Sequence, residues 1–314
     1  VNSSKKIALQ AQGDDGAANN TSWTSRLENL TSLIAAYDDK AADVLCLVAS
    51  GTSVSQRVRS LMDTDLLNRA AEGSQDEAVF PGLENYYEIE RVGEADVAAA
   101  FGADFAELRP ISGSQANHIL LASLTKTGDV IMSPSMRGGA HISMAGRVTR
   151  SLKDYTYHYL PLRQRSFAID IEAACADIKK YRPGLIFLGG SVVIEEQDFT
   201  ELAMTARETG TITIYDASHV AGLIACGAFR NPLKDGIDLM TMTTCKTLPG
   251  PSHAWIVGSK EYHERIKKAV FPGFVSGGHL QEYVGALAAF YEMMAVRKVY
   301  GNYVISSARC HIPR

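Results

Sequence analysis

The feature that most limits what this chain can fold into is a rhythm that sets in near residue 84. Short β-rich runs at Val130–Met132, Tyr155–Leu160, Leu185–Leu188, Ile212–Tyr215, Leu239–Thr243 and Trp255–Val257 alternate with helical stretches at 115–125, 168–180, 199–209 and 260–269. Strands alternating with helices at this spacing make parallel βαβ units and a sheet covered on both faces. The expected fold class is therefore α/β, a mostly parallel sheet flanked by helices. Residues 279–298 place Leu280, Tyr283, Val284, Leu287, Phe290, Tyr291 and Met294 on one helical stripe, which reads as core or subunit packing. Residues 1–22 are polar and rich in Gly, Asn and Ser, and read as a loose arm. A helical pattern follows at Leu27, Leu30, Leu33 and Ile34, then an apolar run at Val44–Val48 that reads as buried.

Composition removes several function classes. With 314 residues, 46% hydrophobic and 21% charged, the chain can bury a full core and is not disordered. A formal net charge of −4 argues against a nucleic-acid carrier, whose phosphate contacts leave a basic excess. No apolar run reaches the ~18 residues that a membrane-spanning helix needs. The five cysteines are dispersed and form no CxxC pair, which points to a reducing cytosol. Val1–Lys6 has no apolar core of a signal peptide, so the expected location is cytoplasmic.

The phosphate loops of dinucleotide and P-loop proteins are missing, since neither GxGxxG nor GxxxxGK[ST] occurs. The eight histidines form no HExxH or HxH pair, so no metal site is expected. A GxSxG nucleophile elbow is also missing. Three local features remain. Ser112-Gly113-Ser114-Gln115-Ala116-Asn117 follows an extended run and opens a helix, where free N–H groups and hydroxyls can cradle a phosphate. Tyr215-Asp216-Ala217-Ser218-His219 ends an apolar strand in an acid, at the sheet edge that faces a ligand crevice. Thr243-Thr244-Cys245-Lys246-Thr247 sets a lysine just beyond a buried strand, a position suited to a Schiff base. A phosphate cradle, an acid and a lysine in this order are what pyridoxal phosphate needs. The phosphate takes the N–H donors, the carboxylate keeps the pyridine nitrogen protonated, and the aldehyde takes the amine.

The stretch from Ala49 to Arg297 resembles serine hydroxymethyltransferase, a pyridoxal-phosphate family of the aspartate-aminotransferase fold type. Ser112–Asn117, Lys126–Asp129, Asp216–Leu223, Thr243–Leu248, Val270–Gly273 and Gly277-Gly278 carry the resemblance. It implies that Lys246 forms the Schiff base, that Asp216 pairs with the pyridinium, and that Ser112, Gly113 and Ser114 hold the phosphate. It implies further that His141 stacks on the cofactor ring, that Ser191 and His219 lie near its ring oxygen, and that Thr243 is the threonine preceding the lysine by three. Gly277 and Gly278 match a glycine pair that reaches the phosphate of a neighbouring subunit, so a homodimer or larger oligomer is expected. Glu72 matches the carboxylate that handles protons at the substrate hydroxyl and the folate, and Ser50 and Phe80 fall at substrate-side positions.

The implied domains are an arm and helix over 1–48, a cofactor-binding large domain over 49–278, and an interdomain helix with the truncated start of a C-terminal domain over 279–314. The family continues into that C-terminal domain, which carries the arginine for the substrate carboxylate; the text after Arg297 leaves no room for it. The implied activity is cleavage and formation of the Cα–Cβ bond of a β-hydroxy amino acid, with tetrahydrofolate accepting the one-carbon unit. Several positions depart from the family pattern: Cys245 stands where histidine is usual, Ser252 where arginine is, and Ala70, Val79 and Phe80 where tyrosines are. These departures crowd the substrate side and leave open a folate-independent threonine aldolase or transaldolase, or an α-methylserine or racemase relative. A non-catalytic partner protein that keeps the cofactor fold is the reading from another class.

Overall fold

The computed structural model describes residues 22–73, 78–144, 146 and 152–310. The arm expected over 1–22, except Ser22, and His311 lie outside the described residues. Two compact units divide between Leu47 and Val48. In the first, helix α1 (Trp23–Ala42) starts where the Ser22 hydroxyl accepts the Ser25 N–H at 3.1 Å, an N-cap that satisfies one orphan donor. No residue of α1 is buried. The apolar run at 44–48 is not the buried segment its sequence suggests: Val44, Leu45, Leu47 and Val48 are 55–84% exposed. An apolar run becomes a buried strand only when a neighbour takes up its backbone groups, and every strand of the sheet lies later in the chain.

The second unit contains, in chain order, α2 (Gln56–Met62), α3 (Glu84–Phe101), β1 (Phe105–Glu107), α4 (Gly113–Leu124), β2 (Val130–Ser133), β3 (Thr156–Tyr159), α5 (Ile171–Tyr181) and β4 (Leu185–Gly189). There follow α6 (Thr200–Thr209), β5 (Ile212–Asp216), α7 (Ala221–Ala225), β6 (Leu239–Cys245), β7 (Pro249–Gly258), α8 (His263–Lys268), α9 (Leu280–Ala295) and α10 (Arg297–Cys310). The sheet has seven strands in the order β1-β7-β6-β5-β4-β2-β3. Strands β3, β2, β4, β5 and β6 run parallel, and β7 is antiparallel to both of its neighbours. The expected α/β class with a mostly parallel sheet is what the molecule has.

Neighbouring side chains on each strand serve opposite faces. Ile214, Leu239 and Ile256 enter one core, while Tyr215, Met240 and Trp255 enter the other. That is why these strands carry apolar side chains at neighbouring positions rather than only at alternate ones. Helix α9 covers part of the second core: Leu280, Tyr283, Leu287 and Phe290 are buried, and Phe290 meets Trp255 edge-on at 5.5 Å. Its stripe does not bury every residue expected of it, because Tyr291 is 39% exposed and donates a 2.7 Å hydrogen bond to Asp96. Helix α3, which the periodicity did not single out, ends at Gly102 in the left-handed region (φ 66°).

The register decides where chemistry can occur. Gly189 and Asp216 stand side by side at the carboxyl ends of β4 and β5, and Asp216 pairs with Thr241 within β6, which runs four residues further. Next to them β6 breaks register between Thr243 and Cys245, and Lys246 follows immediately.

Candidate active site

One cavity gathers Ser112, Gly113, Ser114, His141, Gly190, Ser191, Asp216, Ser218, His219, Thr243 and Lys246. Each side chain arrives there for a local reason. Ser112 is the N-cap of α4, and its hydroxyl accepts the Gln115 N–H at 3.2 Å. The Ala116 N–H goes to the Ser112 carbonyl, so the first-turn amides of Gly113 and Ser114 are left at the positive end of the helix dipole. At Gly113 a Cβ would stand 2.7 Å from Thr243 Cγ2 and 3.4 Å from Ser218 Oγ, so only glycine lets the backbone come this close. Gln115 fixes the start of the helix. Its Oε1 accepts the Ile111 N–H at 2.7 Å and its Nε2 donates to the Phe274 carbonyl at 2.9 Å.

Asp216 is 3% exposed, and its carboxylate is held from two sides. The Ser218 N–H donates to Oδ1 at 3.0 Å and Asn117 Nδ2 donates to Oδ2 at 2.9 Å. Each oxygen retains a lone pair for a further donor. Lys246, half-buried at the end of β6, makes no hydrogen bond or ion pair among the described residues. Burial, reinforced by the positive Lys246, pushes the His219 imidazole below its ordinary range, so His219 is neutral at neutral pH. The loop carrying His141 is tied to the end of β4: the Ser191 and Val192 N–H groups donate to the Gly139 carbonyl at 2.8 and 3.1 Å. Thr243 donates to the Ser218 carbonyl at 3.5 Å, the limit of a hydrogen bond.

The remaining residues singled out in the sequence lie elsewhere. Glu72, Gly277 and Gly278 do not line this cavity. They form a second group, in which a Cβ at Gly277 would meet Glu72 Cγ at 2.7 Å and the Ala71 carbonyl at 2.8 Å. Gly277 and Gly278 line a small cavity with Tyr86, Glu90, Arg109, His253 and Tyr283. The backbone bearing Glu72 is held there by Tyr87, whose hydroxyl donates to the Glu72 carbonyl at 3.0 Å. Phe80, 42% exposed, lines a third and open depression with Leu66, Leu83 and Ile89. Ser50 is exposed and borders none of these. The sequence reading gave no role to Asn117, Ser143, Ser218 or Thr241, although all are buried around Asp216.

The donor set suits pyridoxal phosphate. The positive dipole end of α4, with two amides that make no hydrogen bond among the described residues, shares one cavity with a strand-end lysine and a buried carboxylate that has spare lone pairs. Among the described residues no cluster could hold a metal ion, and no helix is long and apolar enough to cross a membrane.

Residues 25–312 match the family model of serine hydroxymethyltransferase. The chain belongs to that family. It is 37% identical over 267 residues to a serine hydroxymethyltransferase of Archaeoglobus fulgidus, covering 85% of this chain and 61% of the relative. To that of Korarchaeum cryptofilum it is 35% identical, with 84% and 64% covered, and to that of Methanosphaera stadtmanae 34% identical, with 92% and 68% covered. The chain thus spans somewhat less than two thirds of the length of the first two of these relatives.

Proposed function

We propose that this family member is a pyridoxal-phosphate enzyme that makes and breaks the Cα–Cβ bond of a β-hydroxy amino acid, as in the exchange of serine and glycine with tetrahydrofolate. The observation that carries this reading is the single cavity shared by Lys246, Asp216 and the start of α4. Pyridoxal phosphate, when bound, supplies an aldehyde for amine condensation and a conjugated ring that takes up electrons from Cα.

The chain's own residues do the rest. Amides of Gly113 and Ser114 and hydroxyls of Ser112 and Ser114 hold the phosphate. Asp216, whose two oxygens accept from Asn117 and Ser218, would pair with the protonated pyridine nitrogen. Lys246 would provide the amine that condenses with the cofactor aldehyde, and would be released as a free amine when the amine of the amino-acid substrate takes its place. His219 and Ser191 would offer hydrogen bonds to the ring oxygen and His141 would cover the ring, while Thr243 lines the same cavity as Lys246. Glu72 holds and moves the proton of the substrate β-hydroxyl.

Glu72, Gly277 and Gly278 lie together but outside the cavity of their own chain. In this reading a second copy brings them to it, and the working unit is a homodimer or larger. Ser50 and Phe80 would then border the amino acid or its aldehyde and folate partners. A second reading, a folate-independent aldolase or transaldolase, is favoured by Ala70, Val79, Phe80 and Ser252, which replace the polar groups usual on the substrate side. The five cysteines, all free, support a reducing cytoplasmic setting.

The test is the visible absorbance of the purified chain with added pyridoxal phosphate, before and after glycine, for wild type and Lys246→Ala. A visible band that depends on Lys246 and moves to longer wavelength with glycine is expected. A band indifferent to Lys246, or none, would leave the fold serving as a non-catalytic partner. Glycine α-proton exchange that rises with added tetrahydrofolate would separate the first reading from the second.

A further inference from the structure

A buried chain of hydrogen bonds runs from the Asp216 carboxylate to the His141 ring, and Asn117 is its hub. Asn117 is fully buried on α4, one turn beyond the phosphate cradle. Its Nδ2 donates to Asp216 Oδ2 and to Ser143 Oγ, both at 2.9 Å, and its Oδ1 accepts from Thr241 Oγ1 at 2.8 Å. The direction of the amide is dictated by its neighbour. An ionised carboxylate only accepts, so the NH₂ must face Asp216 and the oxygen must face Thr241. The whole hydrogen-bonding capacity of the Nδ2 group is thereby used.

The next link follows. Ser143, 1% exposed, receives a hydrogen from Asn117, so its own hydroxyl hydrogen is available to His141 Nδ1 at 2.8 Å. The Ser143 backbone N–H is aimed at the same nitrogen at 3.3 Å. Two donors converge on Nδ1, so Nδ1 carries the lone pair and the ring proton sits on Nε2. A proton on Nδ1 would face two N–H and O–H groups instead of an acceptor.

We propose that Asn117 is a positioning residue that aims the Asp216 carboxylate at the cavity and, through Ser143, holds His141 as the neutral Nε2–H tautomer. This deepens the cofactor reading and rests on it. A positively charged imidazole next to a ring whose nitrogen is already protonated would repel it, and a neutral one does not. The negative charge on Asp216 therefore also sets the state of a side chain on the far side of two intervening groups.

The test combines ring-nitrogen NMR of ¹⁵N-histidine-labelled protein without added cofactor and the affinity for pyridoxal phosphate, with His141 assigned through His141→Gln. Wild-type His141 is expected as the Nε2–H tautomer at neutral pH. Ser143→Ala removes the hydroxyl and leaves only the backbone N–H facing Nδ1, so it should weaken that preference while keeping pyridoxal-phosphate affinity within a few-fold. Asn117→Ala should lose both, with affinity down on the order of 10- to 100-fold, the scale seen when outer partners of a ligating group are removed. Ser143→Ala keeps the relay testable if Asn117→Ala does not fold. Wild-type His141 found with Nδ1 protonated, or unchanged in Ser143→Ala, would overturn the relay. Equal affinity of wild type and Asn117→Ala would overturn the positioning of Asp216 while leaving the cofactor reading intact. The expected tautomer pattern in a wild-type chain that binds no pyridoxal phosphate would support the relay and sink the cofactor reading alone.

Discussion

Asp216 and Glu90 are both carboxylic acids with less than a tenth of their surface exposed, yet they are buried on different terms. Asp216 receives an N–H on each oxygen, and the asparagine that supplies one of them is itself fully engaged. Glu90 receives no hydrogen bond on its carboxylate among the described residues. Its neighbours Glu94 and Glu107 are also acids, and the one close guanidinium, Arg109, is already held by Glu107 in a two-pronged pair at 2.8 and 2.6 Å. Burial accordingly pushes the Glu90 carboxyl up to about 7, and Glu94 is raised in the same way, first by burial and then by Glu107 and Glu90. His253, which lines the same small cavity as Glu90 and is 2% exposed, donates from Nε2 to the Leu108 carbonyl and has no partner for Nδ1 among the described residues; burial lowers it to about 4. A buried carboxylate is tolerated where donors meet its oxygens, and charge is suppressed where they do not. The first cluster presents a hydrogen-bonded carboxylate to the cavity, while Glu90 in the second changes protonation as the pH moves through the neutral range.

The largest expected effect comes from breaking the first cluster at its centre. Asp216→Ala should lower glycine α-proton exchange by on the order of 10²- to 10³-fold, the scale of removing one preorganised electrostatic partner. A loss below tenfold would mean that the carboxylate does not face the reacting group. Next comes the second cluster, read through stability against pH. A carboxyl raised from 4.5 to about 7 on folding holds more protons folded than unfolded between those values, so its burial is tolerated below pH 4.5 and costs increasingly as pH rises to 7. At ~1.4 kcal/mol per pKa unit the cost is on the order of a few kcal/mol. His253 acts in the opposite sense, because it stays neutral when folded and its stability is lost as pH falls from 6.5 towards 4. Across pH 4.5 to 6.5 the two raised carboxyls therefore outweigh His253, so these three groups together lower stability as pH rises, and the decline steepens above pH 6.5, where His253 no longer opposes it. Denaturant titrations of Glu90→Gln should show the decline reduced; an unchanged pH profile would assign it to Glu94 or to other groups.

A smaller effect returns to the first cluster. Gly113→Ala places a methyl against Thr243 Cγ2 without touching Asp216, so pyridoxal-phosphate affinity should fall by about tenfold, a cost of ~1.4 kcal/mol. Equilibrium dialysis would show it, and unchanged binding would place the phosphate away from the α4 terminus.

The two clusters were also unequally legible in the sequence. The central strands could be read because they are buried on both faces and so are apolar at neighbouring positions, as in Leu185–Leu188 and in Leu239, Met240 and Met242. Cradle, acid and lysine could be read because each is a local motif at the end of an element. Asn117 could not, since its partners Ser143, Asp216 and Thr241 are 26, 99 and 124 positions away and only the fold joins them. Helix α3 escaped notice for a related reason: it carries Glu90 on a buried face and Glu94 beside it, so its stripe does not look apolar. The run at 44–48 misled in the other direction, since hydrophobicity was present without a sheet position to receive it.

The central claim is that Lys246 is the lysine that takes pyridoxal phosphate. Incubation of the intact chain with the cofactor, borohydride reduction and peptide mass mapping test it without requiring turnover. The account predicts one phosphopyridoxyl group, on the peptide containing Lys246, formed at substoichiometric cofactor and reduced in Gly113→Ala. Label spread over surface lysines, or absent from Lys246, would contradict it.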